Sequence, residues 1–246
     1  MNYQIQQGDC LELMKTIPDG SVDAIICDPP FGITDCAFDV RIPFEPMWEQ
    51  FKRVTKKNAA ICLFSQMPFG AELIMSNRKM FRYEWIWEKS LAAGFLNSKK
   101  MPLRCHENIL VFYQALPTYN PQFTQGKPYK KNNSGKFLTT GNYQNHIDVH
   151  TSNNGEHYCP RDVVVFQPRH DTHAQQKPVD LLEYLIKTYT NEGETVLDAT
   201  MGSGSTGVAC VNTNRNFIGF ELEEKFFEIS KRRIDEAIAK RAQSLF

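Results

Sequence analysis

The sequence predicts an α/β protein built on a doubly wound parallel sheet, and three observations carry that prediction. Val22-Asp23-Ala24-Ile25-Ile26-Cys27 is a short, nearly uninterrupted apolar run, the pattern of a strand buried on both faces, and it stops abruptly at Asp28-Pro29-Pro30-Phe31. A second such run, Thr195-Val196-Leu197, leads through Asp198 into a turn in which Gly202, Gly204 and Gly207 are spaced G-x-G-x-x-G ahead of a helical segment. Only 39 residues follow Gly207, enough for a helix, a strand and a final helix. The N-terminal strands must therefore complete the sheet, so its topological beginning lies near the end of the chain, a circularly permuted order.

Taken in order, Tyr3-Gln4-Ile5-Gln6 alternates as a strand, and Gly8-Asp9-Cys10 turns it into an amphipathic helix over Leu11 to Ile17. Asp9 and Glu12 have capping-box spacing; Asp9 either caps this helix or accepts a hydrogen bond from a ligand amino group, and the two roles are compatible. Beyond Phe31, a helix over Phe44 to Val54 places Trp48, Phe51 and Val54 on one side, Ala59 to Phe64 is a buried strand, and Ala71 to Asn77 a short helix. Tyr83 to Trp87 and Ile109 to Tyr113 are aromatic-rich strands flanking a polar loop with Gly94, Asn97, Lys99 and Lys100. From Gln114 to Thr172 periodicity fails among prolines, glycines and asparagines, too long a stretch for an ordinary connection. Pro178 then opens a helix carrying Leu181, Leu182, Leu185, Ile186 and Tyr189, and Gly193 ends it. A helix from about Val208, a strand over Asn216 to Phe220 closed by Glu221, and a last helix to about Arg241 finish the chain. The strands number seven, and the domain reading is 1–113 and 173–246 for the two parts of one sheet, with 114–172 inserted between them.

Composition bounds the function. A chain of 246 residues, 41% hydrophobic and 23% charged, is an ordinary globular protein with room for a full core. No apolar stretch approaches membrane-spanning length and no basic-then-apolar leader opens the chain, so a cytoplasmic protein without a membrane partner is expected. Seven cysteines form no Cys-x-x-Cys pair, which favours reduced thiols over a disulfide framework. His146, His150, His157 and Cys159 match no zinc spacing, so no metal is expected. The formal net charge is zero, yet from Lys89 through Ile147 eight lysines and arginines face one acid, Glu107, a balance of plus seven. With Tyr119, Phe123, Tyr129, Phe137 and Tyr143 interleaved, the later part of that span suits phosphate contacts and base stacking, against the alternative of a small subdomain with its own aromatic core.

The glycine turn meets the context test for a nucleotide site: the glycines admit close backbone approach, and Glu221, 19 residues beyond Gly202, is placed to hold both hydroxyls of a ribose. Taken alone it fits NAD as readily as S-adenosylmethionine, but the chain lacks the residues for a second dinucleotide half after it. Asp-Pro-Pro alone is equally a turn after a strand.

Together, Asp28-Pro29-Pro30-Phe31 upstream and Asp198 to Gly207 downstream resemble the β-group DNA amino-methyltransferases, which methylate exocyclic nitrogens of adenine or cytosine. The resemblance covers most of the chain: Gly8-Asp9-Cys10, Trp87-x-Lys89, His106 to Phe112, His173 with Gln176-Lys177-Pro178, and Glu221 share it. It implies a Rossmann-like methyltransferase sheet of seven strands and a target-recognition region in the acid-poor insertion. It also implies that Asp28, Pro29, Pro30 and Phe31 are catalytic, with Asp28 and the Pro29 carbonyl gripping an amino group and Phe31 stacking on a flipped base. For S-adenosylmethionine it implies Asp9, Cys10, Asp28, Lys177 and Asp198, then Thr200, Gly202, Ser203, Gly204, Ser205 and Thr206 in the turn, and Glu221. Three departures stand out: Ala199 and Thr200 where the family has Pro and Phe, an imperfect match before Gln176, and Phe31 in place of the commoner Tyr.

The resemblance leads to an S-adenosylmethionine-dependent, site-specific methyltransferase of double-stranded DNA, adenine N6 preferred because Asp at position 28 is commoner in adenine enzymes and Ser in cytosine-N4 enzymes. A homodimer and a cognate restriction enzyme are partners that it admits. Cytosine-N4 methylation, action on RNA, a non-catalytic nucleic-acid-binding protein and an NAD oxidoreductase are the alternatives.

Overall fold

A computed structural model describes residues 2–33, 39–131, 151–153, 158–167 and 176–243. In chain order the elements are β1 (Tyr3–Gln7), α1 (Cys10–Met14), β2 (Val22–Cys27), α2 (Phe44–Val54), β3 (Thr55–Ser65), α3 (Phe69–Ser76), β4 (Phe81–Ala93), β5 (Arg104–Phe112), β6 (Tyr129–Lys131), β7 (Thr151–Asn153), β8 (Val163–Val165), α4 (Val179–Tyr189), β9 (Thr195–Asp198), α5 (Ser205–Thr213), β10 (Asn216–Glu221) and α6 (Glu224–Gln243). The chain divides into two compact units, one comprising Met1–Asn120 with Asp162–Phe246 and the other Pro121–Arg161. The second unit is narrower than the 114–172 insertion read from the sequence.

The first unit holds a sheet of strand order β1-β10-β9-β2-β3-β5-β4-β8. All neighbouring pairs are parallel except those of β5, which runs antiparallel between β3 and β4. Numbered from β9 as first strand, the seven expected strands stand in the order 3-2-1-4-5-7-6: the permuted reading accounts for 3-2-1-4-5, and the antiparallel β5 between β3 and β4 departs from the expected parallel sheet. A dinucleotide fold has the order 3-2-1-4-5-6, so the antiparallel β5 removes the structural basis of the NAD alternative. The expected count of seven is corrected to eight: Val163-Val164-Val165 pairs with Ile86-Trp87-Glu88 at the sheet's edge. Three residues among turn formers carry no periodicity of their own, and their pairing is long-range.

Alternate residues of the central strands feed opposite layers, as a pleated backbone demands. Ile26, Ala60, Cys62 and Phe64 pack with Leu181, Leu185 and Ile186 of α4 and with Cys210 of α5. Ile25, Cys27, Ile61 and Leu63 pack with Met14 of α1, Trp48 and Phe51 of α2 and Leu73 of α3. Helices therefore cover both faces, and the polar ends of β2 and β9 are left at one rim.

Several boundaries shift from the sequence reading. Pro178 is the N-cap of α4, not its first helical residue. α5 begins at Ser205, three residues before Val208, because Gly204 in the left-handed region (φ +79°) closes the turn earlier. Asp9 accepts hydrogen bonds from Leu11 N and Glu12 N, while Glu12 pairs with Lys15, so the cap is not reciprocal. In the second unit, β6 and β7 pair antiparallel, and Thr124 bridges Tyr158. The histidines at 146, 150 and 157, His173, Phe137 and Tyr143 lie outside the described residues. No helix of the described residues is long and apolar enough to cross a membrane.

Candidate active site

β9 and β2 are adjacent, and the strand order reverses between them, the position where open α/β sheets bind ligands beyond their carboxyl ends. Sequence thus delivers two aspartates to one rim: Asp198 ends β9 and Asp28 follows β2.

Asp198 is fastened. Its Oδ1 accepts from Thr200 N at 3.2 Å and its Oδ2 from Thr206 Oγ1 at 2.6 Å, which ties the strand end to both limbs of the glycine turn. Burial pushes its carboxyl up to about 7. Glu221, at the end of β10, accepts from Gly202 N at 2.9 Å and Glu223 N at 2.8 Å, and burial raises it too. Gly202 (φ +53°) has open space where a side chain would project, a place for a ligand to meet backbone; at Gly204 a Cβ would stand 2.7 Å from Ser230 Cβ. Ser203 and Ser205 are held by the Arg233 guanidinium of α6.

Asp28 is differently placed. Lys177 Nζ donates to its Oδ2 at 2.5 Å, while Oδ1 is buried and has no hydrogen-bond partner among the described residues. Desolvation raises the carboxyl above its ordinary value, with Lys177 opposing and Glu107 adding to the rise. Lys177 sits 3.4 Å from Glu107 Oε2 and 5.1 Å from the Phe64 ring centroid. Burial would lower its ammonium, but Asp28 and Glu107 outweigh it and push it up to about 12. Glu107 Oε1 in turn accepts from Lys89 Nζ and from Gln66 Nε2. Burial would raise Glu107, but Lys177 and Lys89 hold it below the usual value. Lys89, counted in the sequence with the exposed cations, is thus spent inside the site, and its charge does not belong to the surface footprint.

Two of the carbonyls that flank the prolines are engaged. Thr200 Oγ1 donates to the Asp28 carbonyl at 2.9 Å, and Arg41 Nε donates to the Phe31 carbonyl at 2.7 Å. With its single proton so used, Thr200 Oγ1 accepts from the Cys27 thiol at 3.1 Å. The Pro29 carbonyl has no partner among the described residues. The Phe31 ring stacks on Phe69 with centroids 5.1 Å apart, and Asp39 holds Gly32 N and Ile33 N behind it.

Asp28, Lys177, Asp198, Thr200, Gly202, Ser203, Ser205 and Thr206 line one cavity with Ile26 and Phe64. Glu221 borders it through Gly202, whereas Asp9 and Cys10 stand at the end of β1, joined to the Glu221 backbone by Gly8 N at 2.8 Å. Burial raises the Cys10 thiol to about 11, which favours its neutral form. Sequence reasoning missed two parts of this arrangement. Thr200, read there as a cofactor contact in place of an aromatic, also bonds the Asp28 carbonyl, and Glu107, read as the one acid in a basic span and as part of the His106 to Phe112 segment, stands against Lys177. Among the described residues, no three His, Cys, Asp or Glu side chains converge as a metal site.

A doubly wound sheet with a glycine turn on one strand and an acidic side chain on its neighbour, at the switch point, is the place where open α/β sheets bind nucleotide-type ligands. The family model for DNA methylases of the N6/N4 type matches residues 22–232, and the chain belongs to that family. Relatives include the type II methyltransferase M.HpaI of Haemophilus parainfluenzae, 27% identical over 96% of this chain and 75% of its own length. The DNA adenine methyltransferase YhdJ of Escherichia coli (strain K12) is 28% identical over 98% of this chain and 85% of its own. Among solved structures, the M1.HpyAVI–SAM complex aligns with a TM-score of 0.64 at 24% identity, covering 94% of this chain and 99% of that one. PvuII DNA methyltransferase, titled cytosine-N4-specific, aligns with a TM-score of 0.67 at 14% identity, covering 98% and 92%. These two likenesses establish the fold.

Proposed function

We propose that the protein is an S-adenosylmethionine-dependent, site-specific DNA methyltransferase acting on adenine N6 of a flipped-out base. The observation that carries this reading is the unpartnered, buried Asp28 Oδ1 beside a cavity walled by the glycine turn, the two loops tied together by Thr200. The donor set fits the cofactor. Glu221 is placed for ribose hydroxyls, and Gly202 gives room for close approach. When bound, S-adenosylmethionine supplies an electrophilic sulfonium methyl group, and its sulfur takes up the electron pair of the broken S–C bond.

An exocyclic amino nitrogen is a poor nucleophile because its lone pair is delocalised into the ring. Asp28 Oδ1 and the Pro29 carbonyl, two acceptors on a rigid segment, bind its two N–H groups and favour pyramidal geometry, which localises the lone pair. Positioning and preorganised charge supply most of the catalysis. Asp28 holds the amino group and passes its released proton to solvent. Phe31 holds the base by stacking, and a base inside a duplex reaches this rim only by flipping. The tip of the β4–β5 hairpin, at the same rim, exposes Phe95 and Leu96 beside Lys99 and Lys100, a combination suited to a duplex. Adenine is preferred because position 28 is Asp and because a relative over nearly the whole chain is named an adenine methyltransferase.

Transfer of labelled methyl to DNA, followed by nucleoside analysis, tests the proposal. N6-methyladenine is the expected product. N4-methylcytosine alone would overturn the adenine assignment, and DNA binding without transfer would favour a non-catalytic protein.

A further inference from the structure

The Asp28 carboxylate stands at the end of a row of alternating charges that the proposed reaction does not itself use. Lys177 bonds Asp28 Oδ2, Glu107 stands against Lys177, and Lys89 and Gln66 bond Glu107, with Arg104 donating to Gln66 at 3.1 Å. The participants come from five places, the segments after β2, after β3 and before α4 and the strands β5 and β4, so the row is a tertiary construction and not a local turn. Its members are buried: Glu107 retains 7% of its side-chain surface, Lys177 12% and Lys89 18%. A lysine whose only task is to neutralise an acid does not need a second acid and a second lysine behind it. Buried charges are costly unless each is paired, and a row of this kind fixes the orientation of its terminal member.

We infer that Lys177 is a positioning residue for Asp28: held from behind by Glu107 and Lys89, it grips Oδ2 and so fixes the carboxylate in one orientation for the substrate amino group. This deepens the methyl-transfer reading and rests on it. It also assigns Lys177 a different task from contact with the cofactor. A carboxylate free to rotate would offer either oxygen in many orientations, whereas one pinned at Oδ2 offers one oxygen in one direction, the preorganisation that catalysis by positioning requires. The pairing also counters the desolvation that favours the protonated acid, which could not accept a bond at its proton-bearing oxygen. The charged and titratable groups around Asp28 are Lys177, Glu107 of β5, Lys89 of β4, Asp198 of β9 and the Cys27 thiol of β2.

Lys177 and Glu107 act on Asp28 with opposite sign, and this separates positioning from mere structural support. Single-turnover methyl transfer to DNA is measured from acid to neutral pH for the unsubstituted protein, Lys177→Met, Lys177→Arg and Glu107→Gln, with cofactor binding by calorimetry and folding by thermal melts. Lys177→Met is expected to lower the transfer rate about 100-fold and to move the acid limb upward by about 1 pH unit or more, with cofactor affinity kept. Lys177→Arg restores part of the rate, and Glu107→Gln moves the acid limb downward, because the acid that raises Asp28 is gone. An unmoved acid limb in Lys177→Met, or loss of cofactor binding in place of the rate effect, overturns the inference. Should Lys177→Met fail to fold, Glu107→Gln decides through the direction of its limb. Absence of transfer in the unsubstituted protein would instead sink the methyl-transfer reading itself.

Discussion

Asp198 and Asp28 close neighbouring strands of one sheet, and the contrast between them locates the chemistry. Both are raised above their ordinary values chiefly by burial. Asp198 has both oxygens bonded within its own loop and is 3% exposed. Asp28 keeps 34% of its side-chain surface and leaves one buried oxygen without a partner. Folded proteins satisfy nearly all buried polar atoms, so this oxygen, which shares that state with Ser65 Oγ and Glu107 Oε2 among the described residues, calls for a ligand or a function. The same residue type at the same topological position is thus a fastener on one strand and an unsatisfied acceptor on the next.

The contrast is broken most sharply at Asp28. Asp28→Asn is expected to reduce methyl transfer by about 10²–10³-fold, the cost of losing one preorganised charge-stabilising group. Its melting temperature stays within a few degrees, since no loop hangs on Oδ1; a large drop would make Asp28 a fastener like its neighbour. Next comes the turn that Asp198 holds. Gly204→Ala meets Ser230 and must keep φ near +79°, and is expected to cost about 1–3 kcal/mol in denaturant unfolding and to weaken cofactor binding with it. Gly202→Ala, with free space around its Cβ, loses less stability and more of the cofactor affinity.

The last effect is one of pH. Asp198 lies near 3.8 in the unfolded chain and at about 7 when folded. A raised acid contributes stability that is present in full below its unfolded value and is lost as pH rises through the folded one. The cofactor-free protein is therefore expected to melt about 5–10 °C lower at pH 8 than at pH 5, from roughly 2–3 kcal/mol of lost stability, and Asp198→Asn to remove that slope. Equal slopes in the two proteins would show that Asp198 is not the titrating group.

What the sequence disclosed follows the range of each signal. Val22 to Cys27 and Gly202 to Gly207 were legible because apolar runs and glycine spacing are local consequences of burial and backbone conformation. The permuted strand order was legible from the shortness of the chain after Gly207. β8 was not, because Val163 to Val165 acquires meaning only by pairing with Ile86 to Glu88. The row from Lys89 through Glu107 to Lys177 spans 88 residues and was not legible as a row: its members stood in three separate segments of the resemblance, and Lys89 and Glu107 entered a charge count that pointed to phosphate. Thr200 shows how a departure misleads: read as a cofactor contact in place of a lost aromatic, it ties the glycine turn to the Asp28 segment.

The central claim is that Asp28 Oδ1 receives the substrate amino group. Its most direct test is a crystal structure of the protein with a non-reactive cofactor analogue and a duplex carrying the methylated site, once sequencing of methylated DNA from expressing cells has identified that site. The account predicts a flipped base whose amino nitrogen lies within about 3.2 Å of Asp28 Oδ1, with Lys177 still on Oδ2. A target base that remains stacked in the duplex, or an amino nitrogen bonded elsewhere while Asp28 Oδ1 stays unpartnered, would contradict it.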